Sequence, residues 1–224
     1  EGVVRAFNIP PILLPAPTAV WARLSTSLPT LWADFRQTFM KAVLIGYVLG
    51  CGSGFLVAIL IDRSPFLKRG LLPFGNFVAA LPIVGIAPIM VMWFGFDWPS
   101  KAAVVVVSTF FPMLVAWLRG FGASEPEIED LLYSMGATRF GVFHRARLPA
   151  ALPYFFAGFR ISITYAVVGA IFAEYAGAAK GLGIYILNAK NSFRPDLVLA
   201  AVFISAGLTL VLFGATVLVE RLLV

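Results

Sequence analysis

Four stretches of this chain, residues 42–61, 71–96, 102–118 and 197–219, carry no charged side chain, and a fifth, 148–173, is interrupted only by Arg160. A helix rising about 1.5 Å per residue needs about 20 residues to cross ~30 Å of hydrocarbon, and each run is near or above that length. With 60% hydrophobic and only 12% charged residues, the chain has more apolar surface than one soluble core of this size hides. Lipid is therefore the solvent. The expected fold class is an all-α, polytopic transmembrane helical bundle with five visible spans, forming a single domain over residues 1–224.

The run 6–22 is apolar too, but Pro10, Pro11, Pro15 and Pro17 interrupt helical hydrogen bonding, and unpaired backbone is not tolerated in lipid. Residues 1–38 are expected to form an extended periplasmic or interfacial segment. The chain starts at Glu1 rather than Met, so upstream residues holding a sixth, earlier span are expected. No signal peptide is visible.

A net charge of +6 raises the question of nucleic acid, yet the basic residues are scattered between spans rather than gathered on one face, which speaks for ordinary membrane-flanking charge and no nucleic-acid partner. Arg63, Lys68 and Arg69 crowd one short loop, and Arg119, Arg139, Arg145 and Arg147 fall in or beside a polar island at 124–149. Basic density of this kind places both loops on the cytoplasmic side.

The chemistry is narrowed by what is missing. Cys51 is the single cysteine and His144 the single histidine, so there is no internal disulfide and no multi-cysteine metal site, and a lone histidine without a nearby nucleophile or second ligand reads as a helix-surface residue rather than a catalyst. No Gly-x-x-x-x-Gly-Lys-Ser/Thr phosphate loop occurs. If ATP is used, another subunit hydrolyses it, and this chain binds no cofactor or metal of its own.

Within the island, Ser124 and Glu127 stand at capping-box spacing, and Glu125, Glu127, Glu129 and Asp130 sit where the positive end of a helix dipole favours them. Ile128, Leu131, Leu132 and Met135 recur at i, i+3, i+4 and i+7 as one apolar stripe. Gly136 is a natural stop. A second short, basic helix is expected from Thr138 to Arg147, with Pro149 marking the entry to the next span. The expectation is an acidic helix, a glycine hinge and a basic helix held between two spans.

This island resembles the cytoplasmic coupling motif of permease subunits in binding-protein-dependent ABC importers, which reads Glu-Ala-Ala, three residues, Gly, nine residues, Ile-x-Leu-Pro. Asp130 takes the acidic position, Gly136 the glycine, and Leu148 and Pro149 the final pair, whereas Leu131, Leu132 and Ala146 depart from the pattern. Pro10-Pro11-Ile12-Leu13-Leu14-Pro15-Ala16-Pro17 with Trp21 is similar to the nitrate, sulfonate and taurine branch. So are Leu81-Pro82, Pro88, Trp93-Phe94-Gly95, Ala173-Glu174 and Gly181-Leu182-Gly183. The resemblance implies a bacterial inner-membrane protein working as a pair of permease subunits. Its implied partners are two ABC ATPase subunits that hold ATP and Mg and a periplasmic or lipid-anchored substrate-binding protein. It further implies that Glu127, Ile128, Asp130, Leu131, Leu132, Met135, Gly136, Leu148 and Pro149 form the ATPase-coupling region. Sulfonate, nitrate, bicarbonate and pyrimidine- or flavin-type nutrients are all carried within that branch.

Several residues in the spans stand out on their own. Gly46, Gly50 and Gly54 recur every four residues, a pattern that lets helix backbones approach closely. Pro82 and Pro88 with Gly85 between them free backbone carbonyls, which suits a pathway lining or a simple kink. Arg160 either snorkels to the surface or serves near an inner gate. Thr164 on the same helix joins the pathway candidates. Glu174 either lines an outer vestibule or binds a helix end or a neighbouring Lys or Arg. Two rival classes remain: a coupling subunit of a vitamin importer that lacks a soluble binding protein, and a membrane-embedded enzyme or channel.

Overall fold

Four of the apolar runs lie in long helices. The computed structural model describes residues 1–64, 66, 67, 70, 73 and 82–223. Among these, helices α1 (Gly2–Ala6) and α2 (Pro17–Thr26) precede α3 (Leu28–Arg63), α4 (Ile83–Phe94), α5 (Trp98–Phe121) and α6 (Pro126–Ser134). Helices α7 (Arg139–Tyr175), α8 (Leu182–Asn191) and α9 (Pro195–Leu223) complete the order. Among the described residues, α3, α5, α7 and α9 are the helices long and apolar enough to cross a membrane. They contain four of the five expected runs. Of the fifth, residues 71–81 other than Pro73 lie outside the described residues, as do Lys68 and Arg69 of the basic loop; α4 alone, with 12 residues, reaches only about 18 Å.

Residues 1–38 are not extended as expected. Pro10, Pro11 and Pro15 do lie in the irregular stretch between α1 and α2, but Pro17 opens α2 and Pro29 sits in the first turn of α3. A proline at the first positions of a helix gives up an N–H that has no helical partner anyway, and its fixed φ suits the helix. The same residue type that stops one helix starts the next.

Two of the spans contain a widened π turn: Gln37–Val43 in α3 and Phe143–Arg147 in α7. The second corrects the expected separate helix ending at Arg147. Pro149 has no N–H for the carbonyl of Arg145, and its ring crowds that turn. With Leu148 N–H bonded five residues back to Phe143 C=O, the turn widens and the helix runs on through Pro149. The capping box is also corrected. The N-cap of α6 is Glu125, without a side-chain cap bond, because Pro126 takes the first helical position and moves the start past Ser124.

The chain groups into two compact units. One comprises 1–46, 82–105 and 166–211, the other 47–81, 106–165 and 212–224. In the first, Val20 and Leu31 are buried with Leu182, Ile186, Ala200 and Ala201, so the proline-rich N-terminal helices pack on α8 and α9. In the second, Trp117 is the centre of an aromatic cluster with Phe55, Phe121 and Phe155, ring centroids 4.6 to 5.5 Å away.

Close helix contact explains the glycine spacing. A Cβ on Gly46 would lie 2.6 Å from the carbonyl oxygen of Ala102, one on Gly54 would lie 2.9 Å from that of Phe110, and one on Gly50 would overlap the Thr109 hydroxyl. All three glycines of α3 therefore face α5 at backbone distance.

Candidate functional site

The second unit holds an exposed short helix with a formed stop. Helix α6 ends at Gly136, whose φ of +83° is left-handed and suits a residue without Cβ. Gly136 N–H bonds Tyr133 C=O at 2.9 Å and Ala137 N–H bonds Leu132 C=O at 2.9 Å, the paired bonds of a Schellman stop. Two residues on, the Thr138 hydroxyl accepts from Gly141 N–H at 3.2 Å and caps α7. No residue of α6 is buried. Ile128 is 46% exposed, Leu131 60% and Met135, just past the helix, 74%; Leu132 is half-buried, while Glu127, Asp130, Gly136 and Pro149 are exposed and Leu148 half-buried. Phe140, 70% exposed, extends the apolar surface and stacks on His144.

Arg147 fastens this helix to the rest of the unit. Its Nη1 and Nη2 donate to the two carboxylate oxygens of Asp62 at 2.7 and 2.8 Å. Nε and Nη2 also donate to the carbonyl of Phe121 at 3.3 and 3.2 Å, and Nε lies 3.4 Å from Glu129 of α6. A planar guanidinium with five N–H groups is suited to such a junction. Sequence reading used Arg147 only as flanking charge; its place one residue before the Leu148-Pro149 pair is the one hint that it carries.

The first unit holds a buried polar knot. Asp34, Thr38, Lys101 and Glu174 are 8, 1, 2 and 2% exposed. Asp34, Thr38 and Glu174 satisfy N–H groups at the start of α8, which lack helical partners. Gly181 N–H donates to Asp34 Oδ1 at 3.0 Å, Leu182 N–H to Thr38 Oγ1 at 2.9 Å and Gly183 N–H to Glu174 Oε2 at 2.6 Å. The Thr38 hydroxyl donates in turn to Glu174 Oε1 at 2.7 Å. Lys101 Nζ donates to the carbonyls of Phe96, at 2.6 Å, and Gly177, and to Ser100 Oγ at 3.2 Å, so its three protons are occupied. A cavity of about 350 Å³ adjoins this knot, lined by Gln37, Phe96, Asp97, Trp98 and Lys180 along with Lys101 and Glu174. Asp34, Thr38 and Lys101 escaped the sequence reading, because each lies beside or outside a charge-free run and its partner is far along the chain.

The model of the family described as binding-protein-dependent transport system inner membrane component matches residues 42–224. The chain belongs to this family. The formylaminopyrimidine transport permease protein ThiX of Halalkalibacterium halodurans is 33% identical over 213 residues, covering 95% of this chain and 85% of ThiX. The riboflavin transport system permease protein RibX of Chloroflexus aurantiacus is 31% identical, covering 100% of this chain and 84% of RibX. The taurine transport system permease protein TauC of Escherichia coli is 28% identical, with 96% and 80% covered. In fold the chain matches a chain of an amino acid ABC transporter at a TM-score of 0.70 and 16% identity, covering 89% of this chain and 97% of that one. It is a multi-pass permease subunit of an inner-membrane ABC importer.

The remaining candidates of this permease separate between the units. Arg160 pairs with Glu220 of α9 at 2.9 Å and lies over the Phe213 ring, and Thr164 is exposed on α7; both belong to the second unit. Pro82, Gly85 and Pro88 are exposed in and before α4 of the first unit, where Ala87 packs with Val104 and Ala173, next to Glu174. Among the described residues no group of His, Cys, Asp and Glu is placed to hold a metal ion.

Proposed function

We propose that this permease works as one of a pair, with an ATPase docked on the α6 surface of each copy, and moves a small polar or anionic solute inward by alternating access. One observation carries the reading: Ile128 and Leu131 on a short helix, and Met135 at its end, stand exposed, and the stop and following cap are both formed. Apolar side chains presented rigidly to solvent fit a protein-docking surface, and a rigid lever transmits force that a flexible loop would absorb. The docking surface faces the cytoplasm in this scheme. ATP and Mg belong to the partner ATPase, since this sequence has no phosphate loop.

Specificity is supplied by a periplasmic or lipid-anchored binding protein. The names of ThiX, RibX and TauC span a formylaminopyrimidine, riboflavin and taurine, a range that supports a nutrient solute. Mass spectrometry of what copurifies with the tagged full-length permease from native membranes tests the scheme. An ATPase with a phosphate loop, at about one copy per permease, is expected. Leu131→Asp combined with Met135→Asp should remove it while the permease still elutes as a folded species. Recovery of no ATPase with the unaltered permease under gentle extraction, or full recovery with the double variant, overturns the docking surface.

A further inference from the structure

We propose that Arg147 is the positioning residue through which displacement of the docking helix α6 reaches the spans, an inference that rests on the docking reading above. A force applied to α6 must leave it through contacts that are stiff and directional. Apolar contacts slide, because they have no preferred geometry. A two-pronged guanidinium–carboxylate pair does not, because both N–H···O bonds lose alignment together. The guanidinium of Arg147 meets Glu129 in the middle of α6, both oxygens of Asp62 at the end of α3, and the last carbonyl of α5, that of Phe121. Arg147 itself closes the π turn of α7. Four elements thus converge on one side chain.

The surroundings favour a stiff junction. The side chains of Arg147, Asp62 and Glu129 are 25, 16 and 24% exposed, so water screens their pairing only in part. The neighbouring backbone is also confined. A Cβ on Gly120 would meet Ala151 at 2.8 Å, so the end of α5 packs on α7 at backbone distance. A push on α6 therefore arrives together at the ends of α3 and α5.

Hydrogen exchange followed by mass spectrometry on the permease–ATPase complex purified from native membranes, with and without ATP plus vanadate, tests the assignment. In the unaltered complex the nucleotide should change exchange in 126–134 and also in 58–64 and 118–122. With Asp62→Asn, which preserves shape, and with Arg147→Gln, the ATPase should still copurify and the change in 126–134 should persist, while the change in 58–64 is lost. A residue that only held the fold would instead raise exchange across the region with and without nucleotide. Persistence of the 58–64 change in both variants overturns the assignment and leaves docking intact. So does its absence from the unaltered complex. Loss of the 126–134 change in the variants assigns Arg147 to shaping the docking surface and also overturns it. An unaltered permease that brings down no ATPase removes the docking reading and this one with it.

Discussion

Glu174 shows how much one carboxylate is asked to do. It accepts from Thr38 Oγ1 and from Gly183 N–H through its two different oxygens, and at 2% exposure no water replaces either donor. Glutamine offers one acceptor oxygen, so Glu174→Gln leaves a buried donor facing an amide NH2. A buried donor left unsatisfied costs about 1–3 kcal/mol, and the variant should lose about that much, read as a lower midpoint for thermal aggregation in detergent. An unchanged midpoint would mean that α8 is held by its apolar contacts with Leu31 and Ala200 alone. The hydroxyl of Thr38 works in both directions, accepting from Leu182 N–H while donating to Glu174. That double use depends on a single proton pointing one way, and the shorter 2.7 Å contact to Glu174, against 3.1 Å to the Asp34 carbonyl, marks which way.

Helix α3 meets α5 through a glycine face, and the glycines on that helix are not alike. A Cβ on Gly50 overlaps Thr109, whereas one on Gly52 meets nothing within 4 Å. Gly52→Ala should stabilise the helix by about 0.5–1 kcal/mol through reduced backbone freedom in the unfolded chain. Gly50→Ala makes the same gain and loses more, since overpacking costs about 1–3 kcal/mol; the two alanine variants should shift the melting midpoint in opposite directions. Spacing alone marks 46, 50 and 54 as one face. That Gly52 is open is a matter of where α5 runs. The polar island has a similar division. Gly136 as a stop and Thr138 as a start follow from local backbone chemistry, which acts over four or five residues. The helix start at Pro126 and the unbroken passage through Pro149 depended on which of two local preferences prevailed, proline at a first turn over a serine cap, and a widened turn over a break.

For the permease as a whole, the proposed docking surface is apolar at its centre and acidic at its edge, with Asp130 and Glu127 exposed beside Ile128 and Leu131. Raising salt from about 0.15 M to about 1 M shortens the Debye length from ~8 to ~3 Å. The ATPase should stay bound through that change if the apolar side chains carry the affinity; release would assign the affinity to the acidic edge. By itself the sequence determined the solvent, the helical class and four of the membrane-crossing helices, because transfer of side chains into lipid adds up locally along a run. It also carried the spacing from Asp130 to Pro149 that resembles a coupling motif, a matter of 20 residues. Only the tertiary structure decided who meets whom. Asp34 and Gly181 are 147 positions apart, Thr38 and Glu174 are 136 apart, and Arg147 and Asp62 are 85 apart. No periodicity encodes such pairs, since a buried charge is placed by whichever helix ends packing brings to it, and an ionic partner is specified only once the backbone is in position.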